Sequence, residues 1–291
     1  TDKVEEDSHK NTAPPTPLPK DMLAGELKEL EELEKETDEE RDAARARGAS
    51  RTSADEEIKS YQNPMAALQA LLEQKEMNVW DSADEWGIPP LREDMLLQNL
   101  PPNLQTWGGH EATPDNGKDW FFYNYSLGGT KGLPFDRTIL AFNTYDEKFE
   151  MFWELPAYYV SKMRASGIQA AVVPDFSFYY TQPRVVHLWN VYRAQWLGRF
   201  FQEAGMKVIP RLQFDYNDPD SLDIALRGIP QNCPILATSQ QNVEDKANEP
   251  KITKHLDEAL AIIKPKTVLY YSGPPGKRCM EATKYKGKVV Y

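Results

Sequence analysis

The sequence predicts an α/β fold: a mostly parallel sheet of five or six strands flanked by helices, as an open sheet or partial barrel, behind an extended, partly helical N-terminal arm. Three observations carry this expectation. From residue 135 onward, short β-branched and aromatic runs alternate with longer stretches of helical periodicity, the pattern of parallel strands joined by helical crossovers. Residues 172–215 repeat it most clearly, as strand, turn, helix, turn and strand in immediate succession. Charge is also unevenly distributed: residues 1–60 hold 18 acidic against 10 basic side chains, net −8 of a total of −11, and few apolar residues, so the core must form downstream. The chain therefore divides into an acidic arm (1–60), a helical and Trp/Pro-rich lead-in (61–134) and an α/β domain (135–291).

In the arm, Pro14, Pro15, Pro17 and Pro19 favour extended backbone. Residues 21–47 then read as a charged helix carrying a thin stripe of Leu23, Leu27, Leu30 and Leu33. Such a stripe cannot form a core alone, and it suits either docking against a protein partner or a solvated helix. Residues 54–77 read as helix jointed at Asn63-Pro64. The stretch 79–102, with Trp80, Trp86 and paired prolines, reads as irregular but packed, and 120–125 as a strand at an edge or in a hairpin. In the domain, strands are expected at 138–142, 170–173, from 208, at 235–238 and at 267–271, with 288–291 as a sixth. Helices are expected at 149–166, from Pro183 to a left-handed end at Gly205, at 221–227 and at 251–263. In the helix after Pro183, Val185, Leu188, Trp189, Tyr192, Trp196 and Phe200 mark an apolar face that Leu197 and Phe201 widen.

Composition removes several function classes. No stretch approaches the roughly 20 apolar residues of a membrane span, and the polar, acidic N-terminus has no secretory character. Cys233 and Cys279 lack metal-ligand spacing and read as reduced thiols. Without a basic run, non-specific binding to a phosphate backbone is not expected. His9, His110, His187 and His255 are too scattered for a metal cluster or a triad. The segment 272–278, Ser-Gly-Pro-Pro-Gly-Lys-Arg, fails as a phosphate loop because Tyr271 stands at the first glycine and Arg278 at the hydroxyl position; it reads as a rigid exit loop.

In parallel sheets, ligands bind beyond the C-terminal ends of the strands. That placement gathers Asn143, Asp175, Ser177, Arg211, Gln213, Asp215, Thr238, Ser239 and Ser272. Asp175, Ser177, Arg211 and Asp215 are the catalytic candidates, with Asp175 and Asp215 able to hold a divalent metal or act as an acid and base pair and Arg211 to bind an anion. The structural alternative is that both aspartates cap turns. Asn190 and Arg193 are expected to bridge from their helix to the Asp175 loop, and His187 to be a core or boundary residue.

The ordered motifs FEMFWELPAY (149–158), VVPDFSFY, LWNVYR, WLGRFFQEAG, KVIP, Arg227-Gly228-Ile229, ILATS and IKPKTVLYYSG resemble the phage- and mobile-element-associated domain of unknown function 4417, over about residues 143–273. The resemblance implies a compact α/β domain of phage origin and supplies no catalytic residue. Together with the arm's composition, the lack of a complete catalytic motif and the strand-end carboxylates, two expectations follow. The first is a phage structural or assembly protein that docks through its arm onto other phage proteins or a second copy of itself, in the host cytoplasm or the virion. The second is a metal-assisted enzyme acting on nucleotides or nucleic acid at the strand-end carboxylates.

Overall fold

The computed structural model describes residues 80–107, 117–125, 129–179, 181–240 and 246–291, all within one unit, Asn63–Tyr291. The arm, with Leu23, Leu27, Leu30 and Leu33, and the helical region 54–77 lie outside the described residues. Among the described residues no helix is long and apolar enough to cross a membrane.

Among the described residues, nine strands form two all-parallel sheets in sequential order. The first contains β1 (Leu104–Thr106), β2 (Trp120–Asn124), β3 (Thr138–Ala141), β4 (Ala170–Val172) and β5 (Lys207–Ile209). The second contains β6 (Arg211–Leu212), β7 (Ile235–Gln240), β8 (Thr267–Ser272) and β9 (Lys288–Val290). Pro210 divides what is otherwise one line of chain. It has no N–H for a ladder, and its carbonyl accepts from Ala237 N at 2.8 Å, so the pairing shifts there from β4 to β7.

The two sheets share one interior. Leu104, Phe122, Ile139, Ala141, Val172, Ile209, Ala237, Leu269 and Val290, alternating along the strands, contact one another in a single cluster. The Phe122 ring of β2 lies 6.2 Å from that of Tyr271 on β8. Side chains of outer strands in both sheets can meet only if the sheets curl round, which makes the fold a partial barrel. No β1–β9 pairing closes it among the described residues. The sheet begins within the 61–134 lead-in. β2 is neither an edge strand nor part of a hairpin, since it runs parallel between β1 and β3; with only five residues, nothing in its composition distinguishes those settings.

Helices cover the outer face: α1 (Glu150–Glu154), α2 (Pro156–Ala165), α3 (Arg184–Glu203), α4 (Ser221–Ala225), α5 (Glu249–Ile263) and α6 (Pro274–Glu281). The helix expected at 149–166 is thus two, because Pro156 cannot donate to a preceding turn and starts α2 at its first position. α6 replaces the exit loop expected after β8, for a related reason: Pro274 and Pro275 occupy its first turn, where a missing N–H costs nothing. Gly167 and Gly205 end α2 and α3 at φ +99° and +88°.

α3 lies differently from its apolar pattern. Trp196, Leu197 and Phe201 are buried as expected, but Val185 is 69% and Trp189 48% exposed, while His187, Asn190, Gln195 and Gln202 are buried. On this inward face, groups outside the helix meet His187, Asn190 and Gln202, while Gln195 Oε1 has no hydrogen-bond partner. Gln202 Oε1 accepts from Arg92 N at 2.7 Å and its Nε2 donates to Arg92 O at 2.9 Å, fastening the packed segment that buries Ile88, Leu91 and Leu96.

Candidate functional site

Every strand of a parallel sheet points the same way, so the residues where several strands end are brought together whatever their distance in sequence. Here that layer is polar. The inward alternation that places Phe122, Ala141, Ile209 and Ala237 in the barrel interior continues to Asn124, Asn143, Arg211 and Ser239, two residues further on.

Arg211 joins them. Its Nη1 donates to Asn143 Oδ1 at 2.5 Å, and its Nη2 donates to Ser239 Oγ at 2.6 Å and to Asp175 Oδ2. Asn143 Nδ2 in turn donates to Asn124 Oδ1 at 2.7 Å. Arg211 and Asp175 expose only 4% and 11% of their side chains. Burial pushes the Asp175 carboxyl up and the Arg211 guanidinium down, desolvation outweighing the charge each supplies to the other. Both terminal nitrogens of the guanidinium are thus engaged, and Nε has no hydrogen-bond partner.

A second group of side chains holds the loop that carries Asp175. Asp146 accepts from Ser177 N, at 3.1 Å to Oδ2, and from Ser177 Oγ, at 2.8 Å to Oδ1. Asn190 Nδ2 donates to Ser177 O at 2.7 Å, and Arg193 Nε donates to Asn190 Oδ1 at 3.0 Å. Arg193 also pairs with Glu150 at 2.6 Å and lies 3.7 Å from the Phe176 ring centroid. The bridge expected from Asn190 and Arg193 to this loop is present. Burial raises the Asp146 and Glu150 carboxyls, opposed in part by Ser177 for the former and by Arg193 for both, and burial lowers Arg193.

The expected strand-end residues therefore separate. Asn143, Asp175, Arg211 and Ser239 form one cluster, while Ser177 belongs to the loop clasp. Asp215 is buried and caps its own turn, its Oδ1 accepting from Asn217 N at 2.9 Å. Ser272 Oγ donates to Gly273 O at 3.0 Å. Gln213 Oε1 and Thr238 Oγ1 are buried with no hydrogen-bond partner. His187 Nε2 lies 3.0 Å from Tyr179 O and its ring stacks on Phe178, a core placement as expected. Among the described residues no three His, Cys, Asp or Glu side chains are grouped to hold a metal ion. Residue order could not reveal Asn124, Asp146 or Glu150: each meets its partner 19 or more residues away. The thiols are not reactive centres, since both are buried and burial pushes Cys233 up to about 12.

A family model, described as a domain of unknown function (DUF4417), matches residues 131–286, a wider span than the motifs in the sequence mark out. The chain is 32% identical over 132 residues to the Gene 1 protein of Mycobacterium phage D29, covering 45% of this chain and 47% of that protein. It is 31% identical over 132 residues to the Gene 1 protein of Mycobacterium phage L5, covering 45% and 56%. The chain thus spans about half the length of the curated relatives it matches. No solved structure matches it.

Proposed function

The chain belongs to the DUF4417 family, and from that premise and its likeness to mycobacteriophage proteins we propose that it is a phage structural or assembly protein that works by binding other proteins. In this reading the curled α/β unit is a rigid body, and residues 1–60 dock it through Leu23, Leu27, Leu30 and Leu33 onto other phage proteins or a second copy of the chain. It acts in the host cytoplasm and is carried into the virion. One observation supports this above the rest: the polar groups at the strand ends hold one another. Arg211 bonds to Asn143, Asp175 and Ser239, and Ser177 to Asp146, so the strongest sequence candidates for chemistry form internal struts.

A second reading, a metal-assisted enzyme acting on nucleotides or nucleic acid, draws support from Asp175 alone. Its Oδ1 is buried without a partner and burial raises its carboxyl, a combination common in catalytic acids. Particle purification separates the two. Phage particles or assembly intermediates should carry the full-length protein, and deletion of residues 1–60 should abolish that association. Particles that lack the protein at every stage would overturn the structural reading. An Asp175→Asn variant that assembles and folds normally yet fails to support phage growth would favour the enzyme.

A further inference from the structure

Charge reverses sign over residues 264–291, which hold seven Lys and Arg against a single Glu, net +6, in a chain whose total is −11. Two of the seven are engaged: Lys277 pairs with Glu281 at 3.9 Å and Arg278 with Glu249 at 2.5 Å. The other five, Lys264, Lys266, Lys284, Lys286 and Lys288, are exposed, and none has an ion-pair partner among the described residues. The fold brings them together. Lys264 stands at the left-handed end of α5, at φ +54°, and Lys266 just before β8. β9 runs beside β8 with Lys288 in register with Thr267, and Lys288 N donates to Lys266 O at 3.3 Å. Tyr285 Oη donates to Pro265 O at 2.9 Å, which lays the residues on either side of Tyr285 against 264–266. Lys284 N donates to Asp257 Oδ1 on α5 at 2.6 Å. Two segments separated by β8 and α6 thus make one basic edge where β8 and β9 begin.

We propose that this edge binds nucleic acid through its phosphate backbone. A duplex presents one negative charge per about 1.7 Å of its axis, so ammonium groups on flexible stems find partners along it without a fixed geometry. Carboxylates of a partner protein are instead best matched by the planar fork of Arg, and Arg278 already spends its fork on Glu249. A lipid surface favours basic residues beside a broad apolar face that can enter the headgroup layer. The large apolar side chains exposed near these lysines are Ile262 and, past β9, Tyr291, too few to form one. Phosphate contacts carry no sequence information, so the binding is non-specific.

Lysines on an edge strand also deter pairing with a further strand. That role accounts for Lys288, the one lysine of the five within β9, while the other four lie outside any strand. The charge balance of the whole chain, which argued against a phosphate-binding surface, hides this edge because its lysines come from two separate segments. At ordinary ionic strength the field of a charge fades over about 8–10 Å. The local excess, rather than the net charge of the chain, therefore governs what meets this surface. The inference goes beyond docking through residues 1–60 and does not depend on it.

Fluorescence anisotropy of the purified full chain with a labelled DNA duplex of random sequence tests this. Binding should appear at low salt and weaken roughly 10²–10³-fold between about 50 and 200 mM, since five phosphate contacts give a salt slope of about −4 to −5. A Lys264→Gln/Lys266→Gln/Lys284→Gln/Lys286→Gln/Lys288→Gln protein, altered only at exposed positions, should bind at least about tenfold more weakly at the lower salt. No binding at low salt, equal binding by the folded variant, or equal displacement of the duplex by poly-glutamate of matched charge would overturn the proposal. Tighter binding to vesicles of phosphatidylserine and phosphatidylcholine than to the duplex would overturn it as well. If the variant fails to fold, the salt slope of the unaltered protein decides, and a slope near zero rules the surface out.

Discussion

At the scale of single residues, Arg211 governs the interior. It is a buried charge whose partners come from β3, the loop after β4, and β7, so removing it leaves the Asp175 carboxylate buried without a counter-ion. Breaking one side of a buried pair typically costs about 3–5 kcal/mol, whereas replacing both sides with apolar groups is often neutral. Arg211→Met should therefore destabilise the protein by that order in urea unfolding, and Asp175→Leu in the same chain should restore much of the loss. Additive losses would show that the pair is not a unit. Glu150 offers a test with a defined sign. Burial raises its carboxyl, and that of Asp146, above the usual range, so the folded chain holds protons there that the unfolded chain releases. The associated stability is present below the ordinary carboxylate range and is lost as pH rises through the raised values. Glu150→Gln has no proton to lose, so its stability should improve relative to the unaltered protein as pH climbs from that range toward neutrality. A gap that moves the other way would mean that the Arg193 pairing outweighs burial.

At the scale of elements, local signals set where helices and strands begin and end. Pro183 precedes α3, Gly205 ends it, and β7 and β8 fall where β-branched runs stand between turns. What the sequence could not show is which face of an element turns inward once its partners are remote. In α3 the buried His187, Asn190 and Gln202 read as polar breaks in an apolar stripe, and only the backbone of Tyr179, Ser177 and Arg92, brought near by the fold, explains them. β1, with three residues, is too short for any periodicity to register. α6 makes a related point, because its fit depends on one small residue. A Cβ at Gly276 would come within 2.6 Å of Gln240 O and 2.8 Å of Ser272 Cβ, and the first of these is backbone that cannot swing aside. Gly276→Ala should lower stability by about 1–3 kcal/mol, as overpacking does, despite alanine's higher helix propensity. A gain in thermal midpoint would show that α6 packs more loosely on β7 and β8 than described.

At the scale of the whole molecule, alternating strands and helices were enough to give a parallel α/β fold, and the partial barrel follows from inner faces that meet across both sheets. The candidate site was half legible. Topology alone placed Asn143, Asp175, Arg211 and Ser239 at one end of the sheet, but whether strand-end groups face a ligand or one another depends on side-chain contacts that spacing does not encode. They face one another, and this is why binding rather than chemistry is the role proposed for the chain. The most direct test compares three forms of the protein for association with purified phage particles: unaltered, lacking residues 1–60, and Asp175→Leu/Arg211→Met with folding verified. The account predicts that the unaltered and doubly substituted proteins co-purify with particles and support their production, while the truncated form does neither. A folded double variant that abolishes particle production, alongside a truncated form that sustains it, would contradict the account and place the function at the strand ends.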